Sequence, residues 1–224
     1  MQSALDQFRI SINRVRELIG LYSSLDAISS SSLDSSDMLR AALVLAVSAL
    51  DYYVHEVVTL GMLEIYQGIR AEPQPSANTT QSAFSRFQVS LGGVQQERSL
   101  IMEPKSWLES EIHQIEGYDF LQQTRTISEL IPVISESLTR RLNKTAWLES
   151  EIRERLSYQS FQQPDKIANA IRCISQKKLW DEVAAEMDMP AKALKQQLSL
   201  IVDRRNKIAH EADIAPSFGP GIRW

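Results

Sequence analysis

Between Asp37 and about Arg70, apolar residues return at helical intervals. Leu43, Val47, Leu50, Val54, Val57 and Gly61 follow one another at four, three, four, three and four positions, the spacing of one face of an α-helix. Nearly every residue from Ala41 to Ala49 is apolar as well, so the segment predicts a central helix covered by neighbours most of the way round. A chain built on such a helix must surround it with further helices. Only eight glycines and eight prolines in 224 residues leave too few turn formers for an all-β alternative. The expected fold class is all-α.

The flanking sequence agrees. Leu5, Phe8, Ile12, Val15, Leu18, Ile19 and Tyr22 mark an amphipathic helix over Leu5–Leu25 with Arg9, Arg14, Arg16 and Glu17 on its wet side. Ser29 to Ser36 reads as a flexible loop whose Ser and Asp residues suit the cap of the central helix. Glu72 to Gln81, with two prolines in a polar run, breaks the pattern. Shorter helices are expected at Gln81–Ser90, Lys105–Gln114, Thr126–Leu142, Ala146–Leu156, Asp165–Ile174, Leu179–Met187 and Ala191–Ala209. Pro190 suits the start of the last of these. Trp107-Leu-Glu-Ser-Glu-Ile112 recurs as Trp147-Leu-Glu-Ser-Glu-Ile152. Two copies indicate a local duplication, since repeat arrays need three or more units to bury a core. Beyond Glu211 the Pro- and Gly-containing tail should be irregular, and it ends without a closing element, which leaves room for further chain past Trp224.

Charge and cysteine content narrow the function. The formal net charge is −4, so the broad basic surface of a tight nucleic-acid binder is absent and any such contact must be local or transient. The lone Cys173 excludes an internal disulfide framework and a cysteine metal cluster, and fits a reducing compartment. No signal peptide opens the chain. No apolar run nears the roughly 20 residues of a membrane span. These points lead to the expectation of a soluble, cytoplasmic protein without a membrane partner.

The final predicted helix carries the chemistry. Leu194, Leu198, Ile201, Arg205 and Ile208 form its apolar stripe, and an arginine on such a stripe is costly unless it is paired or lines a cleft. Asp203, Asn206 and His210 align on another face. Arg205 and His210 are five positions apart, about 500° of rotation, so roughly 140° separates them on one helix. They converge only if the helix loosens, if Arg205 reaches around, or if a second protomer supplies one of them.

Arg205-Asn206-x-x-x-His210 resembles the signature of HEPN domains, four-to-five-helix bundles of which many are ribonucleases. Leu198 to Asp213, Ser160-Phe-Gln-Gln-Pro-Asp-Lys-Ile167, Leu179-Trp180 and the Asp51-bearing helix are similar to the RiboL-PSP-HEPN subgroup in particular. The resemblance implies a HEPN domain over residues 37–210 with a helical insertion at about 72–145, preceded by a helix and Ser-rich loop at 1–36 and followed by an irregular tail at 211–224. It also implies RNA cleavage without a metal or cofactor. The 2′-hydroxyl of RNA serves as nucleophile, leaving a 2′,3′-cyclic phosphate and a 5′-hydroxyl. His210 would act as general base or acid, since imidazoles titrate near neutrality. Arg205 would present its donor fork to the scissile phosphate. Asn206 would orient the imidazole or contact phosphate, and Asp51 would be the fourth member. Two copies across a two-fold axis would supply two histidines and two arginines. The implied setting is a toxin or antiviral effector, a homodimer with RNA as substrate and an antitoxin or sensor as possible partner.

Blander readings stand beside this one. HEPN domains also serve as inactive interaction modules. Asp51 suits a buried structural charge paired with an arginine, and His55, His113 and Cys173 show no constellation. The tryptophans read as packing residues, because no cations are interleaved with them at regular spacing. Leu179 to Leu194 has the form of a helix-turn-helix with Met187–Met189 as the turn, but its second helix offers only Lys192 and Lys195 as cations, a weak basis for DNA binding.

Overall fold

The structure, a computed structural model, describes residues 1–28, 35–75, 80–87, 94–96, 99–101, 104–143 and 145–211. The Ser-rich loop at 29–34, residues 76–79 of the expected Glu72–Gln81 loop and the expected irregular tail at 212–224 lie outside them. The described residues form α1 (Gln2–Ile28), α2 (Ser36–Tyr66), β1 (Val94–Gln96), β2 (Ser99–Ile101), α3 (Pro104–Glu116), a 3₁₀ turn (Phe120–Gln122), α4 (Ile127–Asn143), α5 (Thr145–Ser157), α6 (Pro164–Ile171), α7 (Leu179–Met187) and α8 (Ala191–Glu211). The fold is all-α, as expected, apart from the short antiparallel pairing of β1 with β2.

All eight α-helices among the described residues, the central one included, were anticipated from periodicity, with ends shifted by a few residues. The helix expected at Gln81–Ser90 does not form in its described part, where residues 83–86 make a turn. There the Ser82 hydroxyl donates to the Glu72 carboxylate. That contact, ten positions back along the chain, ties Ser82 to the loop before the expected helix, and the apolar residues of the described part do not override it.

The chain divides into two compact units. One comprises Met1–Phe84 with Gln159–Trp224, and the other Ser85–Tyr158. In the first, α2 is packed by α1, α6 and α8. Phe8 of α1 stacks on Tyr53 of α2 with ring centroids 4.7 Å apart. Val47, Val54, Val58 and Met62 of α2 and Val202 of α8 are all buried. Gly61 is needed for close approach, because a Cβ there would lie 2.7 Å from the buried Ile174 side chain. Burial of α2 is less complete than its composition suggests: Leu45 and Tyr52, seven residues apart on one face, are 48% and 54% exposed. The covering helices reach one side of this half and leave the other in solvent.

By length and composition alone α2 could cross a bilayer, which corrects the expectation that no run of that size exists. Asp51 and His55 midway along it, and three helices packed on it, are the features of a core helix instead.

In the second unit α3 packs against α4. The start of α4 shows one arm of a capping box: the Thr126 backbone N–H donates to the Glu129 carboxylate at 2.8 Å. The repeated WLESEI segments occupy α3 and α5, each 13 residues long, and Ile112 and Ile152 are both buried. The copies then diverge: Gln122 lies in the 3₁₀ turn, whereas Gln162, forty positions on, lies in no helix, and Gln163 is extended before Pro164, as a residue preceding proline tends to be.

Candidate active site

The motif lies on the last two turns of α8, which is continuous from Ala191 to Glu211. The helix therefore does not loosen between Arg205 and His210. Arg205 is half-buried. One of its terminal nitrogens donates to the Asn206 side-chain oxygen at 3.1 Å, while its Nε is buried without any hydrogen-bond partner. No carboxylate among the described residues pairs with it. His210 and Asp203 are exposed. Within one chain the structure thus joins Arg205 to Asn206, while His210, one turn beyond Asn206, is hydrogen-bonded to neither.

Asp51 has different company. Its carboxylate accepts the Phe161 backbone N–H at 2.5 Å and the Gln162 side-chain amide at 3.3 Å. His55 Nε2 stands 3.8 Å from the same carboxylate, an ion pair when the imidazole is protonated. The His55 ring also tilts over that of the buried Phe161, 4.5 Å between centroids. Asp51 and His55 therefore clamp the Gln159–Gln163 segment as it enters α6. The partners are a backbone amide and a glutamine in place of the arginine considered from sequence. No hydrogen bond or ion pair joins Asp51 to Arg205, Asn206 or His210.

Among the described residues, no group of three His, Cys, Asp or Glu side chains is placed to hold a metal ion.

A family model for RiboL-PSP-HEPN matches residues 9–221, nearly the whole chain. The chain belongs to the RiboL-PSP-HEPN family. No curated protein and no solved structure matches it. In this RiboL-PSP-HEPN protein the matched span takes in the α8 motif, the Asp51 helix and the Phe161–Gln162 clamp.

Spacing along the chain did not reveal one further feature. Trp180 lines a cavity of about 480 Å³ together with Arg172, Lys177, Lys178, Lys192 and Lys195. The cations come from the end of α6, the α6–α7 connection and α8, so no linear pattern interleaves them with the tryptophan. The adjacent Lys177-Lys178 pair just before Trp180 was the available signal. The α7–turn–α8 form considered for DNA binding is present, with Asp188 in the left-handed region at φ 49°. Of its two recognition cations, Lys195 is engaged by Asp165 at 2.7 Å.

Proposed function

We propose that this RiboL-PSP-HEPN protein is an endoribonuclease that cleaves RNA by attack of the 2′-hydroxyl on the adjacent phosphodiester, at a site completed by a second copy of the chain. The observation that carries the reading is the state of Arg205. A guanidinium held half-buried, bonded to one neutral side chain and with no carboxylate among the described residues to neutralise it, keeps donors on its terminal nitrogens for an anion, and a phosphate oxygen is the natural group to meet them.

Asn206 fixes one arm of the guanidinium, leaving the remaining donors for the anion. His210, exposed on the following turns, is free to exchange protons with a 2′-hydroxyl or a leaving 5′-oxygen. Arg205 would stabilise the charge that develops on the phosphorane. No step needs a metal. On a regular helix one chain cannot bring its own Arg205 and His210 together without a long reach, so the second protomer supplies the complementary residue. The exposed apolar side chains Leu45 and Tyr52 of α2 and Leu200 of α8 supply surface for such an association. A cytoplasmic toxin or antiviral effector, held in check by an antitoxin or a sensor, is the setting this chemistry suits.

Incubation of the protein with tRNA and mixed RNAs in EDTA tests the reading. Cleavage to 2′,3′-cyclic phosphate ends by the wild type, and none by Arg205→Ala or His210→Ala, is the expected result. The separation of Arg205 from His210 within one chain favours a second reading, an inactive interaction module. Intact dimers of all three proteins without any cleavage would establish it.

A further inference from the structure

The cavity beside Trp180 concentrates positive charge in a chain whose net charge is −4. Five cations line it against a single acid, Asp181. Lys177 is held by Glu182 at 2.5 Å and Lys195 by Asp165 at 2.7 Å. Arg172 bonds only the neutral side chain of Asn169, at 2.9 Å. Lys178 and Lys192 have no hydrogen-bond or ion-pair partner among the described residues. Three cations thus lack a paired acid around one concave space that Asp181 offsets only in part, and the positive potential there favours an anion.

Trp180 adds an aromatic wall. Its Nε1 donates to the Pro164 carbonyl at 2.9 Å, which fixes the ring and satisfies its only donor. What remains for a ligand is the ring surface, an apolar plane among cations. Cations that take up phosphates beside an aromatic ring that takes up a base are the two parts of a single-strand binding site.

The cavity shares a helix with the motif. His210 lies eighteen positions after Lys192, five full turns at about 3.6 residues each, so the two project from the same side of α8. Asn206 follows Lys195 by eleven positions, about 20° from three full turns. From Lys192 to Arg205 the rise is about 20 Å, roughly six nucleotides of stacked strand at about 3.4 Å each.

We propose that this cavity is an RNA subsite that holds a phosphodiester and its base a few nucleotides from the bond cleaved at the motif. The inference rests on reading the α8 motif as an RNA-cleaving site. It assigns to Lys178, Lys192 and Arg172 the task of gripping the strand, and to Trp180 that of stacking a base.

The test uses the full chain carrying His210→Ala, so that RNA stays intact, and reads fluorescence anisotropy of a labelled single-stranded RNA of about twelve nucleotides across roughly 50 to 200 mM salt. Adding Lys178→Gln and Lys192→Gln should weaken binding about tenfold and lower the slope of log affinity against log salt by about 1.4, two contacts at about 0.7 each. Arg9→Gln with Arg14→Gln, the same charge change on the exposed side of α1, should leave both values in place. An unchanged affinity in the cavity variant, or an equal loss in the α1 variant, overturns the proposal. So does competition by a nucleoside monophosphate as effective as that of the unlabelled RNA, because the cavity would then hold a single nucleotide and not a strand. If no RNA is cleaved by the wild type but binding still depends on Lys178 and Lys192, the ribonuclease reading fails while the subsite stands.

Discussion

Asp51 and Arg205 are both charged, both half-buried, and carried by helices that pack on each other in one unit, yet they are treated in opposite ways. The carboxylate on α2 has a backbone amide and a glutamine amide on it, with an imidazole nearby. The guanidinium on α8 has one neutral neighbour and a buried nitrogen left over. A charge whose hydrogen-bonding capacity is met from within contributes to the fold. A charge left partly unmet costs stability, and what it gains must come from a group outside the chain. The contrast separates two residues that a motif-based reading places in one site.

Substitution at the two positions should therefore divide activity from stability. The largest effect is expected from His210→Ala, which should lower RNA cleavage by about 10²–10⁴-fold, with Arg205→Ala close behind at about 10²–10³-fold. Neither should shift the urea midpoint by the equivalent of more than about 0.5 kcal/mol. Arg205→Lys keeps the charge but loses the fork, and its activity should stay nearer to that of Arg205→Ala than to wild type. An Arg205→Ala protein that unfolds early would break the comparison from one side.

Asp51→Ala should act in the other direction. Leaving the Phe161 N–H and the Gln162 amide unmatched should cost about 1–3 kcal/mol in urea unfolding, with cleavage retained at temperatures where the protein is folded. Loss of cleavage without loss of stability would move Asp51 into the catalytic group. Gly61→Ala probes the same neighbourhood by sterics alone. Its added Cβ meets Ile174, so thermal unfolding should report a loss of about 1–3 kcal/mol, again without a specific effect on chemistry.

The smallest effect concerns a satisfied charge at the surface. The Thr126 amide and hydroxyl beside Glu129 hold its carboxyl below the usual glutamate range. A lowered folded value means that its contribution is present above the ordinary glutamate pKa and fades as pH falls through the lowered one. Circular dichroism should show slight fraying of α4 on acidification, and Glu129→Gln should remove that pH dependence.

Helix placement was legible because its causes are local. Periodic apolar residues, Pro164 and Pro190 at helix starts and the Thr126–Glu129 box all act within a few residues of the helix they begin. The anomaly of Arg205 on an apolar stripe was visible for the same reason. The side of α2 left in solvent was not legible, because composition records how apolar a helix is and not how many neighbours reach it. The non-helical turn at residues 83–86 was missed because Glu72 holds Ser82 from ten positions away.

By itself, then, the sequence determined an all-helical chain with an arginine out of place on the apolar stripe of its last described helix, since helical repeat and side-chain chemistry are properties of short segments. Only the tertiary structure decided that Asp51 closes on Phe161 and Gln162 more than a hundred residues away, and that cations from three segments converge on Trp180. Such meetings depend on which helices pack together, and packing is settled by the summed burial of the whole unit.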